Sequence, residues 1–155
     1  MTIRKATEAD IPQILRLLVQ VNMVHHIGRP DIFKGPITKY DEAQLCALLN
    51  DETRPVFVCA DGDRVLGYVF CALHETAESP MLHGFTTLYV DDLCVDEAAR
   101  GQGVGRALME HATDVAKQAG CQSVTLNVWA CNEGARQFYE ALGMHEQRRV
   151  MELLL

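Results

Sequence analysis

Three glycines fall within Arg100-Gly101-Gln102-Gly103-Val104-Gly105-Arg106, between a strand-like stretch and a helical one. Thr86 to Val95 is rich in β-branched and aromatic residues and reads as a long strand. Beyond the loop, Val104, Leu108, Ala112, Val115 and Ala119 recur at helical spacing, and Gly120 stops the run. Strand, glycine loop and helix in immediate succession present a helix N-terminus, with its unpaired N–H groups and partial positive charge, beside an accessible main chain. Phosphate oxygens fit such a place. A tight turn that needs glycine for its geometry alone is the plainer alternative. Arg100 and Arg106 flank the loop on a chain of net charge -7, concentrating positive charge where a pyrophosphate would need it. A nucleotide P-loop would continue Gly-Lys-Ser/Thr, whereas Gly105 is followed by Arg106 and Ala107. A dinucleotide fingerprint would need G-x-G-x-x-G, and these glycines are spaced evenly by two.

The 155 residues suffice for one domain, 1–155, with one core. Thr2–Ala6 reads as a strand, Thr7 and Asp10 as a helix cap, and Ile11, Ile14, Leu15, Leu18 and Val21 as the buried stripe of a helix that fades near His25. Gly28, Pro30, Gly35 and Pro36 mark a loop, and Leu45, Leu48 and Leu49 a second short helix. Val56–Ala60 and Val65–Leu73 form a hairpin about Asp61-Gly62-Asp63. Ser123–Trp129 is a strand, Asn132 caps a helix that Gly143 ends, and Met144–Leu154 is expected as a closing strand.

Fourteen basic residues against 21 acidic ones oppose nucleic acid and anionic lipid as partners. The longest apolar run, Tyr68–Leu73, is far short of a membrane span, and Arg4, Lys5, Glu8 and Asp10 interrupt any signal-like stretch, so a cytoplasmic protein is expected. The six cysteines form no CxxC pair and no zinc-type spacing. Most read as reduced core residues, and no metal is expected.

The pattern Arg100-x-x-Gly103-x-Gly105 resembles the pyrophosphate loop of the GCN5-related N-acetyltransferases (GNAT). Asn132, Tyr139 and Gly143-Met144 are similar to a second element of that family, an Asn before a helix that carries a Tyr and ends in Gly and an apolar residue. The element order also matches, over essentially the whole chain. The resemblance implies an α/β (α+β) fold with a mixed, mostly antiparallel central sheet of six or seven strands, splayed between the fourth and fifth and flanked by about four helices. It implies acetyl-CoA as co-substrate, its pantetheine arm on the main chain of Leu93, Cys94 and Val95. The pyrophosphate would sit on Gly101, Gln102, Gly103, Val104, Gly105 and Arg106 beside Arg100, with Asn132 and Tyr139 nearby. A splayed strand suits that arm, because its unpaired N–H and C=O groups accept an amide-bearing chain as they would another strand.

Acetyl transfer to an amine needs a base for the amine proton and an acid for the departing thiolate. The resemblance makes Tyr139 the acid; without it, Tyr139 reads as a core aromatic beside Phe138. Many relatives that modify protein amino termini carry a Glu where this chain has Asn127, and an amide is no base. Asp92, or Asp91, is the nearest substitute, against a plainer reading of both as solvated or ion-paired. Adjacent strand residues point to opposite faces, so only one of the two should look into the cleft. Cys94 or Cys131 as an acetyl carrier is a rival mechanism. His25, His26, Phe33 and Asn127 are the candidate acceptor pocket, the histidines otherwise covering the edge of the core. The expected activity is acetyl transfer to a primary amine of a small molecule or a protein through a direct ternary complex. The alternative is a catalytically weak acyl-CoA-binding module; a homodimer is compatible with either.

Overall fold

The computed structural model describes residues 1–155. The elements are β1 (Thr2–Lys5), α1 (Ile11–Gly28), α2 (Glu42–Leu49), β2 (Val56–Asp61), β3 (Arg64–Thr76), β4 (Phe85–Val95), α3 (Val104–Gln118), β5 (Ser123–Leu126) and α4 (Glu133–Glu140). The strands lie side by side in chain order, antiparallel from β1 to β4 and parallel between β4 and β5. The result is the mixed, mostly antiparallel sheet with four helices that the sequence leads one to expect.

Alternation along the strands divides the core in two. Val56 and Val58 of β2, with Tyr68 and Phe70 of β3, pack under Ile14, Leu17 and Leu18 of α1 and Leu45 of α2. Phe57, Cys59, Val69 and Cys71 face the other way, onto Val104, Leu108 and Ala112 of α3. Gly67 marks the closest approach of α3 to the sheet, since a Cβ there would lie 2.7 Å from the Cys94 carbonyl and 3.1 Å from Val104. Asp10 is buried at the start of α1, where Arg4 donates to its two oxygens at 2.7 and 2.8 Å. That bidentate pair holds the Asp10 carboxyl below its usual range.

Three features depart from the sequence reading. Helix α1 runs past His25 to Gly28, where the helix end passes so close to Cys131 that a Cβ would fall 2.5 Å from its sulfur. Strand β5 ends at Leu126 rather than Trp129. The sheet has five strands, not six or seven, because Met144–Leu154 pairs with nothing. That segment has the composition of a strand but joins no ladder, and the outer edge of β5 stays free.

Pairing between β4 and β5 covers only Thr87–Val90 against Ser123–Leu126. From Asp91 to Val95, β4 is paired with β3 alone and its other side is open. This is the splay between the fourth and fifth strands, and it opens beside the glycine loop.

Candidate active site

At the loop, Gly101 and Gly103 hold φ of +76° and +81°, a left-handed conformation that side chains disfavour, and a Cβ at either would meet nothing within 4 Å. The main chain is therefore uncovered where α3 begins. Gly105 has a different reason: a Cβ there would lie 3.1 Å from Phe138, so glycine lets α4 close against α3. Val104 is buried, leaving only its main chain for a ligand. Arg100 and Arg106 are exposed and paired loosely, at 3.8 Å to Glu97 and 3.9 Å to Glu110. Such surface pairs contribute little, so both guanidinium groups are free to turn to an anion. Gln102 donates to the Ala98 carbonyl at 3.2 Å and fastens the loop to the turn before it. Asn132 caps α4 by accepting from the Ala135 N–H at 3.1 Å.

The two carboxylates of β4 correct the expectation that only one can face the cleft. Phe70 is paired with Asp92 and Cys71 with Val90, so Asp91 is an extra residue in the ladder, a β-bulge. Before it, Leu88 and Val90 face α3; after it, Leu93 and Val95 do so, while Cys94 faces α1. Asp91 and Asp92 consequently share the α1–α2 side. Lys39 donates to Asp91 at 2.7 Å, and Tyr40, itself held by Arg54 at 3.0 Å, reaches the same carboxylate at 3.4 Å. Asp92 accepts from the Tyr68 hydroxyl at 3.0 Å. Burial pushes the Asp92 carboxyl up to about 6, against the opposing pull of that hydroxyl and of Lys39, with the charge of Asp91 adding to the rise. A carboxylate whose pKa approaches the working pH is suited to accept a proton.

Tyr139 is half-buried in α4, edge-on to Phe138 at 5.0 Å. Burial first, and the charge of Asp92 second, push its phenol up to about 12, so it keeps its proton and lies within electrostatic reach of Asp92. The α1 side of the cleft is walled by aromatic rings. His25 stacks on Phe33 at 5.0 Å, Phe33 meets Trp129 edge-on at 5.2 Å, and Arg29 lies 6.0 Å over the Trp129 ring. His26 holds the loop through its Nδ1, 2.7 Å from the Phe33 carbonyl oxygen. His25 has its Nδ1 buried without a partner, and burial together with Lys39 lowers its pKa, which keeps it neutral near pH 7. Asn127 stands apart from this wall, exposed and donating to the Tyr89 hydroxyl at 3.1 Å.

Lys39, Tyr68 and Trp129 escaped the sequence reading, since no motif marks them and only the packing of α1 and its following loop against β4 brings them in. Cys94 is buried with its thiol on the Leu17 carbonyl at 3.4 Å and pushed up to about 12, which denies it the thiolate an acetyl carrier needs. Cys131 is exposed beside Gly28. No group of three His, Cys, Asp or Glu side chains is arranged to hold a metal ion, and no helix is long and apolar enough to cross a membrane.

An open strand edge and a glycine loop at a helix N-terminus thus lie together, with Asp92 and Tyr139 within electrostatic reach of each other. The Acetyltransferase (GNAT) family model matches residues 21–144, and the chain belongs to that family. It is 35% identical over 101 residues to N-alpha-acetyltransferase 30 of Schizosaccharomyces pombe, a match covering 64% of this chain and 63% of that protein. It is 27% identical over 155 residues to thialysine N-epsilon-acetyltransferase of Bos taurus, covering 93% and 84% of the two. The chain thus spans under two thirds of the first relative's length and most of the second's. Its fold superimposes on the crystal structure of a mutant BH1408 protein from Bacillus halodurans with a TM-score of 0.96 at 34% identity, over 100% of this chain and 99% of that one.

Proposed function

We propose that the chain is an acetyl-CoA-dependent N-acetyltransferase that passes an acetyl group directly to a primary amine of a small molecule or of a protein or peptide. The observation that carries this reading is a proton acceptor, Asp92, and a hydrogen-bond donor, Tyr139, within electrostatic reach of each other where β4 parts from β5. The residues fit the co-substrate. Main-chain groups of Leu93–Val95 would hold the pantetheine arm, and the amides around Gly101–Arg106, with Arg100 and Arg106, the pyrophosphate. Acetyl-CoA, when bound, supplies the activated acetyl thioester. Asp92 takes up the proton the acceptor amine gives away, and Tyr139 donates a hydrogen bond to the sulfur, which departs as a thiolate. Two carboxylates on one side of β4 favour a cationic acceptor, and the rings of Phe33 and Trp129 give its carbon skeleton a surface. Both named relatives support a primary amine acceptor, since one name specifies an α-amine and the other an ε-amine. The whole chain is read as one domain working in the cytoplasm.

Thiol release from acetyl-CoA in the presence of peptides with free amino termini, thialysine and simple diamines tests this. Transfer to any of them supports the reading. CoA binding without transfer to an amine favours the alternative, an acyl-CoA-binding module, for which Asn127 in place of an acid is the supporting observation.

Asp92→Asn is expected to lower turnover by no more than about 10-fold, below the 10²–10⁴ typical of positioned acid–base groups, because the amine can also pass its proton to solvent. The acidic limb of the rate profile near pH 6 should flatten with it. Stability moves the opposite way. A carboxyl whose pKa is raised by folding destabilises the folded state above about pH 6 and ceases to do so as pH falls toward 4. The variant should therefore melt higher at pH 7.5, by about 1–3 kcal/mol at most for a half-buried group, and the gain should vanish near pH 4. Thermal melts of both proteins across that range, with rates at the same pH values, check the two halves independently. Unchanged profiles would make Asp92 structural.

A further inference from the structure

The chain has four lysines, Lys5, Lys34, Lys39 and Lys117, and they are placed very differently. Lys5 lies on β1, at the far edge of the sheet from β5, and pairs with Glu52 at 2.8 Å. Lys117 belongs to α3, which packs on the other face of the sheet from Asp91 and Asp92. Lys34 follows Phe33 on its loop and is exposed. Lys39 alone is bound to the acidic side of β4. It sets its Nζ 2.7 Å from an Asp91 oxygen and 5.5 Å from the centre of the Tyr40 ring. Its ammonium is also within electrostatic reach of Asp92 and of His25. A primary ammonium of the chain's own therefore occupies the side of β4 where acetyl transfer needs an amine, at the point where β4 parts from β5.

We infer that Lys39 is itself an acceptor, acetylated in cis by the chain that carries it from acetyl-CoA held at the glycine loop and the open edge of β4. The inference rests on the acetyl transfer proposed above and names one amine that the transfer reaches. In the step, a bond forms between Nζ and the acetyl carbon, and the C–S bond of the thioester breaks. The ammonium gives up two protons, the first to Asp92 and the second from the tetrahedral adduct to water, and the sulfur leaves with the bonding pair as a thiolate. Burial by itself would lower the Lys39 pKa, but the bond to Asp91 and the charges of Asp91, Tyr40 and Asp92 outweigh it and raise the pKa. An amine held in its charged form is a poor nucleophile unless a base takes its proton, so modification here calls for the carboxylate that stands beside it. The product is an uncharged amide. Asp91 then keeps the Tyr40 hydroxyl but loses its ion pair, and is open to the cation of an external amine.

Incubation of the 155-residue chain with acetyl-CoA and no other amine, followed by peptide mass spectrometry, tests this. Lys39 should be the first lysine acetylated, at a rate independent of protein concentration, as a reaction within one chain must be. Acetic anhydride supplies the comparison. A freely diffusing reagent selects exposed, deprotonated amines, so it should label Lys117, whose side chain is 73% exposed, ahead of Lys39. Lys39→Arg keeps a cation for Asp91 and should take up no acetyl group at that position, with the other three lysines labelled no faster than in the parent. Labelling by acetyl-CoA that follows the anhydride order, or whose rate rises with protein concentration, overturns the inference. If Lys39 is already acetylated on purification, Gly103→Val purified from the same host decides: an unmodified Lys39 there supports self-modification, and a modified one overturns it. The same preparation is assayed with the external amines named above. Transfer to them with Lys39 untouched removes this inference and leaves the acetyltransferase reading standing, whereas no transfer to any amine removes both.

Discussion

Tyr139→Phe is expected to lower acetyl transfer by roughly 10- to 100-fold while CoA affinity and melting temperature stay near those of the parent. The magnitude follows from what the phenol can do where it sits. With its pKa pushed up to about 12, it holds its proton more firmly than a thiolate of ordinary basicity, near 8.5 for cysteine, would pull it away. Its contribution is then mainly a hydrogen bond to charge developing on sulfur, and bonds to charged groups are worth about 1.5–3 kcal/mol. Phenylalanine keeps the ring against Phe138 and loses only that bond. The same displacement implies that no alkaline limb from Tyr139 appears below about pH 11. Rates, CoA affinity and melting temperature measured on the same two proteins decide the matter, and turnover unchanged with an amine the parent accepts would remove Tyr139 from the mechanism.

Gly103→Val is expected to abolish CoA-dependent stabilisation. A ligand at a hundredfold excess over its Kd stabilises by about 2.7 kcal/mol, or roughly 5–10 °C in a chain of this size. A valine at φ of +81° adds strain on the order of 1–2 kcal/mol and sends its side chain into space that is empty in the free protein. The second effect is the informative one, because that space is where the pyrophosphate is expected. Gly120 provides the control. It too has a positive φ, +72°, and open surroundings, but it follows the far end of α3. Gly120→Val should lose comparable stability and keep the full CoA shift. A normal shift in Gly103→Val would show that the loop does not hold the pyrophosphate.

What the sequence makes legible here is whatever depends on neighbours along the chain. The Asp61-Gly62-Asp63 turn and the succession of β4, loop and α3 are local patterns and form as written; the stripe of α1 forms as well, with Leu17 buried in it and Leu15 and Val21 at its margins. The loop's glycines are readable for the same reason, since positive φ at Gly101 and Gly103 is a local demand. The partners of Asp91 and Asp92 are not local. Lys39 reaches β4 from a loop some fifty residues earlier, and Trp129 joins the aromatic wall only because α1 runs to Gly28 and brings Phe33 opposite it. The bulge at Asp91 is invisible for another reason. Val-Asp-Asp-Leu reads as an unbroken strand until the register against Phe70 and Cys71 is known. The tail at Met144–Leu154 shows the converse, a strand-like pattern that stays outside the sheet although the outer edge of β5 is free.

The bulge at Asp91 is in effect an insertion with the frame preserved. Remove that residue and Val90, Asp92 and Leu93 would continue the alternation unbroken, each on the side it now occupies. The core upstream and the core downstream therefore do not register its presence; only the surface between them does. One added residue gives the strand a second acid on the same side, and it stands at the point where β4 parts from β5. A bulge bends and twists a strand locally, so the residue that brings a charge to the cleft also helps to hold the cleft apart. A sheet can in this way acquire chemistry by lengthening rather than by substitution, leaving every buried position with the residue it already had.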